Sequence, residues 1–435
     1  MNLSVGFLTL GCKVNQYETD CMKELFQEKG IRVSENLNDK CDFYVVNTCS
    51  VTNMSDSKSR QLISKVNKIN PNAVIAVVGC YSQISPEVIK NMKNVYVVLG
   101  NKYKSNIVDY CIKAYEKGIV TDKVEPIIEN NDYEELKLKK HGDKTRAFIK
   151  IQDGCTQFCN YCIIPYTRGP LKSRDIKDIK EEILNLVEQG YKEIVFTGIH
   201  VTSYGRDLKN EIKLIDVIEE MSEIKKLRRI RLSSLEPNYI NDDFVKRCFN
   251  TGKVCAHFHL SLQNGCDKIL NLMNRKYNTE TYMEKVDIIR NYYSDAGITT
   301  DIIVGFPGET EEDFQKTCEF TKKVKFSKIH IFKFSERSGT KAVNMDGKID
   351  EKIKKDRSKI LEKISNKLTE DFLENQKRKK MEVLFEEKVD ENSMVGYSTN
   401  YCKVICRYRK EMIHDIFNVN ISKSDGKNLF GILTE

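Results

Sequence analysis

The sequence is short of proline and of glycine, with 7 and 22 in 435 residues, and it has no long polar tract. That argues against disorder. No window of roughly 18 residues is free of charge and apolar throughout, so no membrane span is expected. The first residues, MNLSVGFLTLGC, lack a basic stretch followed by a small-residue cleavage site, so no signal peptide is read there. These absences place the chain in the cytoplasm, where thiols stay reduced. Lys and Arg exceed Asp and Glu by only 8, which permits a nucleic-acid partner without arguing for one.

Against this background the 15 cysteines stand out. Their number is odd, and a chain of this size needs no disulfide staples. Metal or redox chemistry is the expected use of some of them.

Length suggests about three domains at roughly 150 residues each. Residues 1–111 read as a doubly wound parallel α/β domain. Val/Ile-rich runs at 5–10, 43–49, 73–80 and 95–100 predict strands covered on both faces. Helical patterns lie at 16–29, 55–69 and 86–92, the second capped by Asn53 or Ser55. Residues 112–140 read as a linker, a charged and solvated arm. Residues 141–371 alternate strand and helix about six times, with strands at 146–152, 193–198, 229–234, 257–262, 300–306 and 328–334. That pattern predicts a partial (βα)6 barrel, whose chemistry would sit at the strand C-termini. A helix over 350–374 would pack on the barrel through Ile353, Ile360, Ile364, Leu368 and Phe372. Residues 372–435 turn to short alternating strands and predict a small β-barrel, OB-like in kind.

The most local signal is Cys155, Cys159 and Cys162, spaced C-x3-C-x2-C directly after the first barrel strand. Thiolates bind soft metals, and close spacing lets one loop wrap one cluster. A structural zinc takes four ligands, whereas three thiolates on a cubane leave one iron open. Zinc with a distant fourth ligand such as His200, and three plain core cysteines, are the alternatives. Cys12, Cys49 and Cys80 each end a predicted buried strand. Strand C-termini of a parallel sheet share one edge, so three thiols reach the same rim. Buried cysteines explain them equally well on this ground alone. The other nine cysteines lack such placement, and Cys402 and Cys406 are read as core.

The loop QDGCTQFCNYC, with Tyr161 before its last cysteine, resembles the radical S-adenosylmethionine (SAM) enzymes. GCKVNQYETD, NTCSVTNMSDSKSRQ, VVGCYSQ and GYSTNY extend the resemblance over nearly the whole chain, to the methylthiotransferase family of those enzymes. The resemblance implies two [4Fe-4S] clusters. One, on Cys155, Cys159 and Cys162, would bind SAM for reductive cleavage to a deoxyadenosyl radical. The auxiliary one, on Cys12, Cys49 and Cys80, would carry the sulfur. It also implies that residues 372–435 are the RNA-binding TRAM domain. Tyr161 and the strand-end residues Gly198, Ser233, Gln263 and Gly305 would then form the SAM pocket. Thr197, Glu236, Asn264 and Glu309 occupy comparable strand ends. Arg275 is either an anion partner or a surface arginine, and His257 and His259 are read as structural.

Within the family, KVNQYET after Gly11-Cys12 resembles the branch that acts on threonylcarbamoyladenosine in tRNA. The alternatives are isopentenyladenosine of tRNA and an aspartate of a ribosomal protein; an RNA-binding cluster sensor without catalysis is a further one. The partners implied are tRNA through its anticodon loop, an electron donor such as flavodoxin or ferredoxin, and a sulfur source, with no membrane.

Overall fold

The computed structural model describes residues 3–36, 38–127, 132–139, 145–209 and 211–434. The N-terminal sheet contains β1 (Ser4–Thr9), β2 (Arg32–Ser34), β3 (Phe43–Thr48), β4 (Val74–Gly79), β5 (Val95–Leu99) and β6 (Thr121–Lys123), all parallel, in the order 2-1-3-4-5-6. Successive side chains point to opposite faces, and in β3 both faces are apolar. Phe43 and Val45 join α1 (Lys13–Glu28) and helix Ile107–Lys117 on one side. Tyr44 and Val46 join α2 (Asn53–Ile69) on the other. The doubly wound fold is therefore as expected.

The details depart from expectation where the apolar signal is thin. β2 and β6 are three residues each and were not anticipated. α2 is capped by Thr52, whose hydroxyl accepts from the Ser55 N–H, and not by Asn53 or Ser55. The first unit does not stop at 111, since the helix runs to Lys117 and β6 adds a strand to the sheet. The linker is no solvated arm. Leu136 and Leu138 are buried against Tyr17 and Cys21 of α1, and Tyr133 donates to the Lys150 carbonyl at 2.8 Å. Its two leucines outweigh its charges, which reach partners beside them. The junction expected at 140–141 lies outside the described residues.

The central region comprises β7 (Arg146–Lys150), the small antiparallel pair β8 (Gln152–Asp153) and β9 (Lys172–Ser173), then β10 (Glu193–Thr197), β11 (Arg229–Leu232), β12 (Ser234–Leu235), β13 (His257–Leu260), β14 (Gly297–Val304) and β15 (Lys328–Lys333). Two parallel sheets, β7-β10-β11 and β12-β13-β14-β15, are joined where Ser233 interrupts β11 and β12. β7 and β15 are the free edges, so the barrel is open between them. Helix Glu351–Glu374 packs on β15. Of its expected face, Ile364 and Leu368 pack half-buried on the barrel core and Phe372 on the C-terminal core, while Ile353 and Ile360 are exposed; Lys354, Arg357, Leu361 and Ser365 are buried beside them. The buried Glu309 carboxylate draws Arg357 inward at 2.8 Å, and a paired arginine fixes the helix rotation against Ile353 and Ile360.

β16 (Lys380–Lys388), β17 (Ser393–Ser398), β18 (Lys403–Arg407), β19 (Ile416–Ser424) and β20 (Leu429–Leu433) close into a five-stranded barrel. β17 is the strand the alternation missed, because Gly396 and two serines dilute it. Cys402 and Cys406 lie in this barrel's core. No helix among the described residues is long and apolar enough to cross a membrane.

Candidate active site at the junction of three domains

Three contacts position the domains. α1 lies against β7 at the barrel's open side, where Phe148 packs against it. On the other edge Arg337, beyond β15, bonds Ser50 at 2.7 Å and Asp56 at 2.7 Å, at the start of α2. The C-terminal barrel covers the strand starts, where Arg229 donates to the Glu382 carbonyl at 2.8 Å and Arg231 to that of Ser398 at 3.2 Å.

The N-terminal thiols meet as the sheet topology requires. The sheet order reverses between β1 and β3, the place where doubly wound folds bind ligands. Cys12 follows β1 and caps α1, Cys49 follows β3, and Cys80 opens α3 (Cys80–Ile84) after β4. Gly11, at φ +105°, is held where an added Cβ would stand 3.0 Å from the Cys49 sulfur. Burial pushes the Cys49 thiol up to about 11, and the Cys80 and Cys12 thiols push it the same way. Burial also raises Cys12, while Arg168 opposes it. The Asn101 amide donates to the Cys80 sulfur at 3.5 Å.

The central loop is set by Gly154, whose φ is +69° and whose added Cβ would come 1.8 Å from the Pro170 carbonyl oxygen. The Cys155 N–H donates to Gly169 at 3.0 Å, and the Cys162 N–H turns back to Cys159 at 2.9 Å. Burial, then neighbouring thiols, push Cys162 up to about 12. Burial pushes Cys155 up to about 11. Tyr161 packs beside Phe306 and Phe334. A Gly154→Ala chain is expected to lose this loop, read as loss of roughly half the iron on anaerobic reconstitution, because an added methyl 1.8 Å from a backbone oxygen cannot be accommodated without moving the backbone.

Arg275 is no surface arginine. It is buried, donates to the Cys159 sulfur at 3.3 Å and pairs with Glu236 at 2.6 Å. Glu236 also faces His200 Nε2 at 3.7 Å, and Ser203 lies 2.6 Å from His200 Nδ1. Removing the cation takes the nearest partner from the carboxylate, so Arg275→Met is expected to destabilise the site locally by about 3–5 kcal/mol, measured as lost hydrogen-exchange protection around Glu236 and the cysteine loop.

Among the described residues no three His, Cys, Asp or Glu side chains converge on a point that would hold one metal ion. A single zinc with His200 as fourth ligand therefore lacks the geometry. A cubane binds each thiolate at its own corner and asks for no common point.

A cavity of about 600 Å³ opens beside Cys12, within the range of small-ligand sites. Gly198 and Ser233 are on its wall; Gln263, Gly305 and the central thiols are not. Ser233 Oγ is buried with no protein partner, as suits a group that contacts a ligand. Gly305 leaves room for Lys354, since its added Cβ would meet Lys354 Cγ at 2.3 Å. Gln263 has φ +70° and bonds β14 through its backbone. His257 and His259 reach the wall too and share Thr299, at 3.1 and 3.0 Å. Burial, then Arg231 and Lys13, hold His257 well below the usual imidazole range. Lys13, Lys328, Lys403 and Lys427 share the wall with Asp301, its one carboxylate. Sequence reasoning passed over Lys13, although it stands inside the motif that carries Cys12. A larger cavity, about 920 Å³, runs along helix Glu351–Glu374 and has no cysteine on its wall.

The radical SAM superfamily profile matches residues 149–321, and that of the uncharacterized protein family UPF0004 matches residues 4–100. The threonylcarbamoyladenosine tRNA methylthiotransferase MtaB of Bacillus subtilis is 39% identical, covering 97% of this chain and 94% of that one. The chain belongs to the radical SAM methylthiotransferase family. The Thermotoga maritima MtaB is also 39% identical, over 92% of this chain and 90% of its own. The tRNA-2-methylthio-N(6)-dimethylallyladenosine synthase of Thermoanaerobacter sp. is 35% identical, over 100% of this chain and 93% of its own. Among solved structures, the radical SAM methyltransferase TsrM of Kitasatospora setae superposes with a TM-score of 0.55 at 14% identity, covering 77% of this chain and 75% of that one; that likeness concerns the fold alone. As a methylthiotransferase of this family the chain works with SAM and [4Fe-4S] clusters.

Proposed function

We propose that the chain converts N6-threonylcarbamoyladenosine, next to the anticodon of tRNA at position 37, to its 2-methylthio derivative. The observation that carries this reading is the pair of thiol trios at the domain junction, in a chain 39% identical to MtaB of Bacillus subtilis over nearly its full length. Cys155, Cys159 and Cys162 hold the radical cluster. Cys12, Cys49 and Cys80 hold the auxiliary one.

When bound, the clusters and SAM supply the reducing electron, the radical and the sulfur. The chain's own residues do the rest. Arg275, braced by Glu236, fixes Cys159. Ser233 offers a hydroxyl to the cofactor. α1 and the C-terminal barrel close the cavity against water. C2 of adenine is hidden in a stacked loop, so the target base must be splayed out to reach the cavity. Lys328, Lys403 and Lys427 at the wall suit the neighbouring phosphates. The C-terminal barrel acts as a TRAM domain. Flavodoxin or ferredoxin supplies electrons, a separate source supplies sulfur, and the work is done in the cytoplasm.

The test is direct. Reconstituted protein, SAM, reductant and tRNA carrying threonylcarbamoyladenosine are incubated, and digested nucleosides are weighed. A gain of one methylthio group is expected. A gain on isopentenyladenosine instead would move the chain to that branch. SAM cleavage with no gain on either would point to a protein substrate, and no SAM cleavage to a sensor.

A further inference from the structure

We propose that Lys13 is the group that recognises the carboxylate at the end of the substrate's N6 side chain, and thereby sets which modified adenosine is accepted. The inference rests on the substrate reading above and adds a specificity-determining residue to it.

Position comes first. Lys13 begins α1 directly after Cys12, and both residues are on the wall of the 600 Å³ cavity. Its side chain is exposed to that cavity, yet protein surrounds it. Two lysines buried at this domain junction, Lys104 and Lys150, pair with Glu18 at 2.9 and 3.3 Å. Among the described residues Lys13 has no carboxylate within ion-pair distance. Its Nζ stands over the Phe148 ring, 5.9 Å from the centroid.

The surroundings keep the ammonium available. The charged and titratable groups near it are the Tyr401 phenol, Arg231, Arg146 and Glu193; the Tyr401 phenol brings no charge unless it ionises. Glu193 is already taken by Arg231 at 2.7 Å. Asp301 is engaged by His259 at 3.4 Å. An ammonium facing an enclosed cavity without a counter-ion fits a ligand that brings a negative charge.

The substrate brings one. In adenine, C2 and the carbon bearing N6 flank the same ring nitrogen, so the N6 substituent lies close to the reacting carbon. C2 has to approach the auxiliary sulfur on the Cys12 side. The substituent then falls beside Lys13. A threonylcarbamoyl group ends in a carboxylate, an isopentenyl group in hydrocarbon. Only the first can pair with the ammonium; the second brings it no counter-ion.

The experiment measures binding by fluorescence anisotropy, using reconstituted holoenzyme and three anticodon stem-loops. These carry threonylcarbamoyladenosine, its methyl ester, and plain adenosine. Wild-type protein is expected to prefer the free acid over the ester by roughly tenfold to a hundredfold, the range of a charged hydrogen bond. Lys13→Gln is expected to bind acid and ester alike, and Lys13→Arg to keep the preference. Iron content is measured on each variant, and the ester comparison on wild-type protein needs no substitution at all. A Lys13→Gln chain that still prefers the acid would overturn the assignment of Lys13 and leave the substrate reading standing. Wild-type protein that binds plain adenosine as well as the acid would overturn both.

Discussion

Replacing Cys49 by alanine is expected to leave about four iron atoms per chain where the unaltered chain holds about eight, to spare SAM cleavage and to abolish thiolation. Cys159→Ala is expected to lose the same amount of iron and to abolish SAM cleavage as well. The asymmetry follows from where the two sulfurs stand. Cys49 ends β3 in the N-terminal sheet and has Gly11, Cys80 and Cys12 for neighbours. Cys159 belongs to the loop after β7 and is contacted by Arg275. No described hydrogen bond joins the two sulfurs, so each substitution should empty its own site. Iron and sulfide analysis, with 5′-deoxyadenosine and nucleoside mass as the two activity readouts, separates the cases. A Cys49→Ala chain that thiolates normally would remove the auxiliary cluster from Cys12, Cys49 and Cys80.

Why those six cysteines were legible in the sequence, and Lys13 was not, has a physical answer. The central trio is a local spacing, and local spacing survives as text. For the N-terminal trio topology went half-way: buried parallel strands end on one rim, which left buried cysteines an equal reading, and the family resemblance of the flanking residues supplied the rest. The barrel strands were read to within a few residues because each is a short β-branched or aromatic run, continuous in EIVFT and alternating with Arg, His or Lys in RIRL, HFHL and KIHIFK. What failed were elements decided by partners far along the chain. Arg275 was evenly balanced until Glu236 and Cys159 were seen beside it. Helix Glu351–Glu374 was read correctly at Ile364, Leu368 and Phe372 and wrongly at Ile353 and Ile360, because the sequence does not show the Glu309 carboxylate that pulls Arg357 under. The room that Gly305 leaves for Lys354 was not legible either. The linker's Leu136 and Leu138 looked too few to matter, and they were enough once α1 offered Tyr17 and Cys21. Lys13 could have been flagged by one signal, a charged residue directly after a predicted ligand at a strand end.

The charge buried between α1 and the barrel leads to the second large effect. Glu18 of α1 is held by Arg168 at 2.9 Å, Lys104 at 2.9 Å and Lys150 at 3.3 Å. Asp153 joins through Arg168 at 3.0 Å and Lys150 at 3.2 Å, and Asn15 accepts from Arg168 at 2.6 Å. Three cations thus share two carboxylates, with Glu18, Arg168 and Lys104 almost wholly out of solvent. Glu18→Gln leaves three buried cations with one carboxylate. Breaking one partner out of a buried set is costlier than replacing the whole set by apolar groups. The expected loss is about 3–5 kcal/mol, concentrated on the docking of α1 against β7. A chain of several domains does not unfold in one step, so the measurement is hydrogen exchange along α1 and 132–139, where protection should fall while the C-terminal barrel keeps its own. The same network fixes a pH dependence. Burial alone would raise both carboxyls, but Arg168 and the lysines outweigh it, holding Asp153 at about 2 and Glu18 well below the usual carboxylate range. A depressed folded value means the stabilisation is complete above the unfolded values near about 4 and is lost as pH falls toward the folded ones. Docking of α1 should therefore be level from neutral pH down to about 5 and give way only below about 4. A midpoint near neutrality would mean that histidines, and not this carboxylate pair, hold the domains together.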